Sequence, residues 1–185
     1  MSVERARLFV ALELPSVARS TLAHWSSLAL DEVGHGRPLG PESLHATLCF
    51  LGWRTVDEVP AIARACRAVA SRRRVVLALG PTRWLPEHQP RVLAVELVDS
   101  DEGLTQLHAA LSRKLHSGGW YEPEQRPFLA HVTVARFSKG TPVAQPELIC
   151  PTPLRFIGDA VTLYRSYTDP GGARYQPLET VGLSG

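Results

Sequence analysis

Histidine and threonine stand two residues apart at two places in this chain, His45-Ala46-Thr47 and His131-Val132-Thr133, each inside an otherwise apolar run. Side chains alternate across a strand, so each motif sends its imidazole and its hydroxyl to one face. Leu44, Ala46 and Leu48, or Val132 and Val134, go to the other face. A lone histidine in a strand is ordinarily structural, and a single His-x-Thr is a weak pattern. Two copies separated by close to half the chain point instead to a pair of strands facing each other across a cleft.

Such a pair surrounds one phosphoryl group with two proton-transfer groups and two hydrogen-bond donors. In-line hydrolysis of a phosphodiester needs a base to take a proton from the attacking water and an acid opposite it to protonate the leaving oxygen. Imidazoles titrate close enough to neutrality to fill both roles, and the residue types leave open which histidine is which. The hydroxyls of Thr47 and Thr133 would donate to the non-bridging oxygens as charge develops. Arg136 falls by strand alternation on the face opposite His131, so its contact with substrate requires a bulge or a strand end. Cys49 shares the parity of His45 and Thr47 but lies deeper along an apolar strand without a partner motif, and reads as a core thiol.

The elements that must hold these residues follow from periodicity. RLFVALEL (Arg7 to Leu14) reads as a strand, and Pro15-Ser16 then opens a helix carrying Val17, Ala18, Leu22, Trp25, Leu28 and Ala29 at helical spacing. DEVGHGRPLGPES reads as a loop whose glycines lack the spacing of a phosphate-binding turn. Thr55-x-x-Glu58 is a capping-box pattern ahead of a second helix, and Asp99-x-x-Glu102 opens a third that ends at Gly118-Gly119. VVLALG and RVLAVELV are strands of a hairpin with a long Pro-rich loop. LRFIGDAVTLYRS and ARYQPLETV are strands on either side of a Pro170-Gly171-Gly172 turn. The order predicts an α+β fold of two lobes, each presenting one His-x-Thr strand, within one domain spanning residues 1–185.

Composition narrows the field. The 185 residues are 44% hydrophobic and 21% charged, ordinary for a folded globular protein. Twenty Lys and Arg against eighteen Asp and Glu leave a net charge of +2, too little for a protein that grips long nucleic acid through many phosphates. Cys49, Cys66 and Cys150 form no CxxC pair and suit a reducing compartment. The N-terminal run ends at Pro15 with no cleavage site and no membrane-spanning length, so a cytoplasmic protein is expected. His24, His35, His88, His108 and His116 lack metal-ligand spacing and read as solvent-facing or structural.

SLHATLCFLG and RPFLAHVTVAR resemble the two motifs of the two-histidine (2H) phosphoesterase superfamily, in particular its RNA 2′,3′-cyclic phosphodiesterases, formerly called 2′-5′ RNA ligases. RLFVALELP and LYRSYTDPGGARYQPLE extend the resemblance over nearly the whole chain. It implies a bilobal fold with two antiparallel sheets lining a groove and helices outside. It also implies metal-independent hydrolysis of a 2′,3′-cyclic phosphate to a 2′-phosphate, with no cofactor. Carried over by position, His45 is the proton donor, His131 the acceptor, Thr47 and Thr133 phosphate ligands, and Arg136 a further substrate contact. Ala46 and Ala130 stand where the family often has Leu and Pro. The expected partners are RNA 3′ ends or small cyclic nucleotides, met by a monomer with no obligate protein partner and no membrane. Competing readings are a non-catalytic RNA-end binder, a metallohydrolase using both histidines as ligands, and net 2′-5′ ligation at the same site.

Overall fold

The structure, a computed structural model, describes residues 3–169 and 172–185. Two of the three residues of the turn expected at Pro170-Gly171-Gly172 therefore lie outside the described residues.

The described residues form one antiparallel sheet in the order β7-β4-β5-β6-β3-β1-β8-β9. Its strands are β1 (Arg5–Glu13), β3 (His45–Thr55), β4 (Val75–Leu85), β5 (Val92–Val98), β6 (His131–Arg136), β7 (Arg155–Gly158), β8 (Ala160–Asp169) and β9 (Gly172–Gly182). A two-residue strand, β2 (Arg37–Pro38), adds to β6 from within the expected loop. The two lobes are the two halves of this sheet, β7-β4-β5-β6 and β3-β1-β8-β9. They meet at β3 and β6 through the register pair Ala46–Val132. In each half the motif strand is flanked by one long partner, β1 beside β3 and β5 beside β6.

Among the described residues, three α-helices cover the apolar face. α1 (Ser16–Val33) buries Ala18, Leu22, Trp25, Ala29, Leu30 and Val33, and ends where Gly34 turns left-handed at φ 79°. α2 (Val59–Cys66) follows a single 3₁₀ turn, with the Thr55–Glu58 capping box formed: the Thr55 N–H donates to Glu58 Oε2 at 2.7 Å. α3 (Gly103–Ser117) buries Leu104, Leu107, Leu111 and Leu115 in one stripe. Its start differs from a capping box. Glu102 takes φ 55° and caps nothing, while Asp99 accepts the N–H groups of Leu104 at 3.1 Å and Thr105 at 2.8 Å.

Candidate active site

Both motifs sit at the junction of the two halves. Burial alternates as the sequence requires: Ala46, Leu48, Val132 and Val134 are buried, while His45, Thr47, His131 and Thr133 are half-buried on the other face. Antiparallel pairing about Ala46–Val132 sets His45 alongside Thr133 and Thr47 alongside His131. The result is two imidazoles on one diagonal and two hydroxyls on the other, related by a local two-fold axis.

The two rings are fixed in the same way. His45 Nδ1 donates to the Ser43 carbonyl at 2.9 Å, and His131 Nδ1 donates to the Leu129 carbonyl at 2.8 Å. A carbonyl only accepts, so the proton of each neutral ring is on Nδ1 and the lone pair is on Nε2. Each histidine is thus tethered through Nδ1 with the Nε2 lone pair on the other side of the ring.

A bulge in each motif strand continues the correspondence. On β6, Thr133 pairs with Ala94 and Ala135 with Leu93, leaving Val134 extra. On β3, Thr47 pairs with Ala11 and Cys49 with Val10, leaving Leu48 extra. Each extra residue reverses the alternation that follows it. Arg136 is therefore returned to the face of His131, correcting the parity drawn from the sequence. Its charge reaches His45. Cys49, which alternation placed with His45, is turned into the core, fully buried, and its thiol is pushed up to about 12, chiefly by that burial. The residue at the place equivalent to Arg136 is Phe50, 48% exposed, with the Arg7 guanidinium 4.7 Å from its ring centroid.

The surroundings of His45 are aromatic. Its ring stacks on Phe9 with centroids 4.9 Å apart and meets Tyr175 edge-on at 5.2 Å. Burial lowers the His45 pKa to about 4, with the Arg136 and His131 charges acting in the same direction against the Ser43 hydrogen bond. The strand beside each motif also carries one carboxylate opposite its histidine: Glu13 faces His45 in register, and Glu96 faces His131. Glu13 accepts from Thr162 and, at 3.2 Å, from the Tyr164 hydroxyl, while Glu96 is paired with Arg83.

A cavity of about 710 Å³ opens where the halves separate past the seam; Thr47, His131, Phe50, Tyr121 and Phe128 are among its lining residues. Sequence reasoning did not single out Phe50, Phe128 or His108 for this site, although FLG and RPF hold the two phenylalanines. His108 stacks on Phe128 at 4.1 Å and 8°. Among the described residues, no group of three or more His, Cys, Asp or Glu side chains is arranged to hold a metal ion, and no helix is long and apolar enough to cross a membrane.

A sequence model of the family described as "2'-5' RNA ligase superfamily" matches residues 15–170. The chain is 27% identical to an RNA 2′,3′-cyclic phosphodiesterase of Escherichia coli K12, over 98% of each chain. It is 30% identical to an RNA 2′,3′-cyclic phosphodiesterase of Thermus thermophilus, over 97% of this chain and 91% of the relative. Among solved structures, E. coli LigT complexed with 3′-AMP superposes with a TM-score of 0.80 at 27% identity, covering 98% of this chain and 100% of that one.

Proposed function

Since the chain belongs to the 2′-5′ RNA ligase superfamily, we propose that it hydrolyses RNA 2′,3′-cyclic phosphate ends to 2′-phosphomonoesters by general acid–base catalysis with His45 and His131. The observation that carries this reading is the shared tethering of the two rings through Nδ1, which leaves two Nε2 atoms for one phosphoryl group. A binding module has no use for two such atoms fixed in the proton-transfer tautomer.

The cyclic phosphate lies over the seam, with its non-bridging oxygens taking hydrogen bonds from Thr47 and Thr133 and the charge of Arg136. The terminal nucleobase stacks on Phe50, the exposed ring at the other end of the same row. His45 Nε2 protonates the departing 3′ oxygen while His131 Nε2 takes the proton from water. In the ligand-free protein His45 is neutral at pH 7. An anionic phosphodiester placed beside it opposes the Arg136 repulsion and favours imidazolium, so substrate itself would charge the donor.

That same lowering favours a second reading in which the roles are exchanged, because a buried neutral imidazole is ready to act as base. A substrate with sulfur in place of the 3′ bridging oxygen separates the two, since thiolate leaves without a general acid. With His45 as donor, His45→Ala regains most of its lost activity on the sulfur substrate and His131→Ala does not; the opposite rescue exchanges the assignment. The overall reaction is tested by product analysis on a short RNA ending in 2′,3′-cyclic phosphate, with and without a strong chelator. A 2′-phosphate product in both is expected. Loss of activity with chelator would favour a metallohydrolase, and joined RNA as the main product would favour a ligase.

A further inference from the structure

The cavity beside the catalytic pair runs from Thr47 and His131 to Arg126 and Phe128. At about 710 Å³ it lies in the upper part of the roughly 300–1,000 Å³ range of pockets that enclose whole drug-sized ligands. It also contains two separate aromatic platforms. Phe50 stands on β3 beyond Thr47. Phe128, on the segment leading into β6, is backed by the parallel, stacked ring of His108 from α3. Burial lowers the His108 pKa, so this second platform is an uncharged stack near neutrality. Arg126, two residues from Phe128, lines the same cavity and is ion-paired there with Glu124, whose place an incoming phosphate would take.

An RNA ending in a cyclic phosphate has only one direction in which to continue, through the 5′ oxygen of its last ribose. Two stacking rings with a guanidinium in the same cavity match two successive bases and the phosphate between them. Stacking recognises every base by its π-face, so such a subsite reads the presence of a neighbour more than its sequence.

We infer that the Phe128–His108 platform with Arg126 is a subsite for the penultimate nucleotide of the RNA end. This rests on the phosphodiesterase reading of the catalytic pair. Aromatic stacking with one base is strong enough to raise kcat/KM by on the order of tenfold.

The test compares a 2′,3′-cyclic mononucleotide with a dinucleotide bearing the same cyclic terminus, for the wild-type protein and for Phe128→Leu, which keeps an apolar side chain but removes the ring. The expected result is a dinucleotide preference of about tenfold in the wild type that collapses toward one in Phe128→Leu. Arg126→Gln is expected to reduce the preference as well and to weaken its dependence on salt. Equal rates on the two substrates in the wild type, or a preference untouched by Phe128→Leu, overturns the proposal. So does an equal loss on both substrates in Phe128→Leu, which would make the ring structural. A third arm supplies the cyclic mononucleotide with a separate nucleoside bearing a free 5′-hydroxyl, whose oxygen could attack phosphorus as the P–O3′ bond breaks. Joining of the two would show that the cavity takes a second molecule, and would also overturn it. No hydrolysis of either substrate would instead sink the phosphodiesterase reading beneath it.

Discussion

An arginine close to an imidazole that must carry a proton is a costly neighbour unless an anion comes between them. Arg136 is placed that way with respect to His45, and its charge adds to the burial that holds the ring near pKa 4. Removing the charge removes one of the forces against imidazolium, so in Arg136→Gln the His45 pKa moves upward, toward the ordinary value of about 6.5. An NMR titration of the His45 ring in both proteins measures this directly. On the proposed mechanism the same variant would also lose a cationic contact with the phosphate, and its hydrolysis rate is expected to fall by on the order of 10²-fold or more. A pKa that stays in place would mean that burial alone sets the state of His45 and that Arg136 points elsewhere.

Within the elements, the α3 cap is the testable detail. Asp99 holds two backbone N–H groups and the Thr105 hydroxyl, the last at 2.9 Å, in place of the box that Asp99-x-x-Glu102 implied. Asp99→Ala should therefore lower stability by roughly 1 kcal/mol, the usual value of a side-chain cap, seen as a lower denaturation midpoint at unchanged slope. No change would place the cap's contribution elsewhere in the turn. The two His-x-Thr strands, the amphipathic helices and the capping box before α2 were legible because each is written in local periodicity. The bulges at Leu48 and Val134 were not, since a bulge is a mismatch between two strands and neither strand records it alone. Arg136 and Cys49 were misplaced by one face for that single reason. The cavity was hidden for another: Phe50, Phe128 and His108 come from a strand, a loop and a helix that only tertiary packing brings together.

At the scale of the whole molecule, the site exists only at the seam. One half supplies His45 and Thr47, the other His131 and Thr133, and neither half alone surrounds a phosphoryl group. The symmetry is broken at the equivalent positions after the two bulges, where one half presents Arg136 and the other Phe50. An anion and a flat base would take opposite ends of the row, giving the substrate one orientation. On the proposed mechanism both proton transfers in that orientation would serve the same displacement at phosphorus, and the histidines would work as a unit. Either His45→Ala or His131→Ala should lower kcat by on the order of 10²–10⁴-fold. Independent contributions would multiply in the double variant. Contributions to a single transition state do not, because once one transfer is lost the other has little left to assist. The His45→Ala/His131→Ala protein is thus expected to fall only slightly below the weaker single variant, with residual activity due to Thr47, Thr133 and Arg136. Measuring kcat for the three proteins on one cyclic-phosphate RNA decides the matter, and fully multiplicative losses would assign the histidines to separate steps.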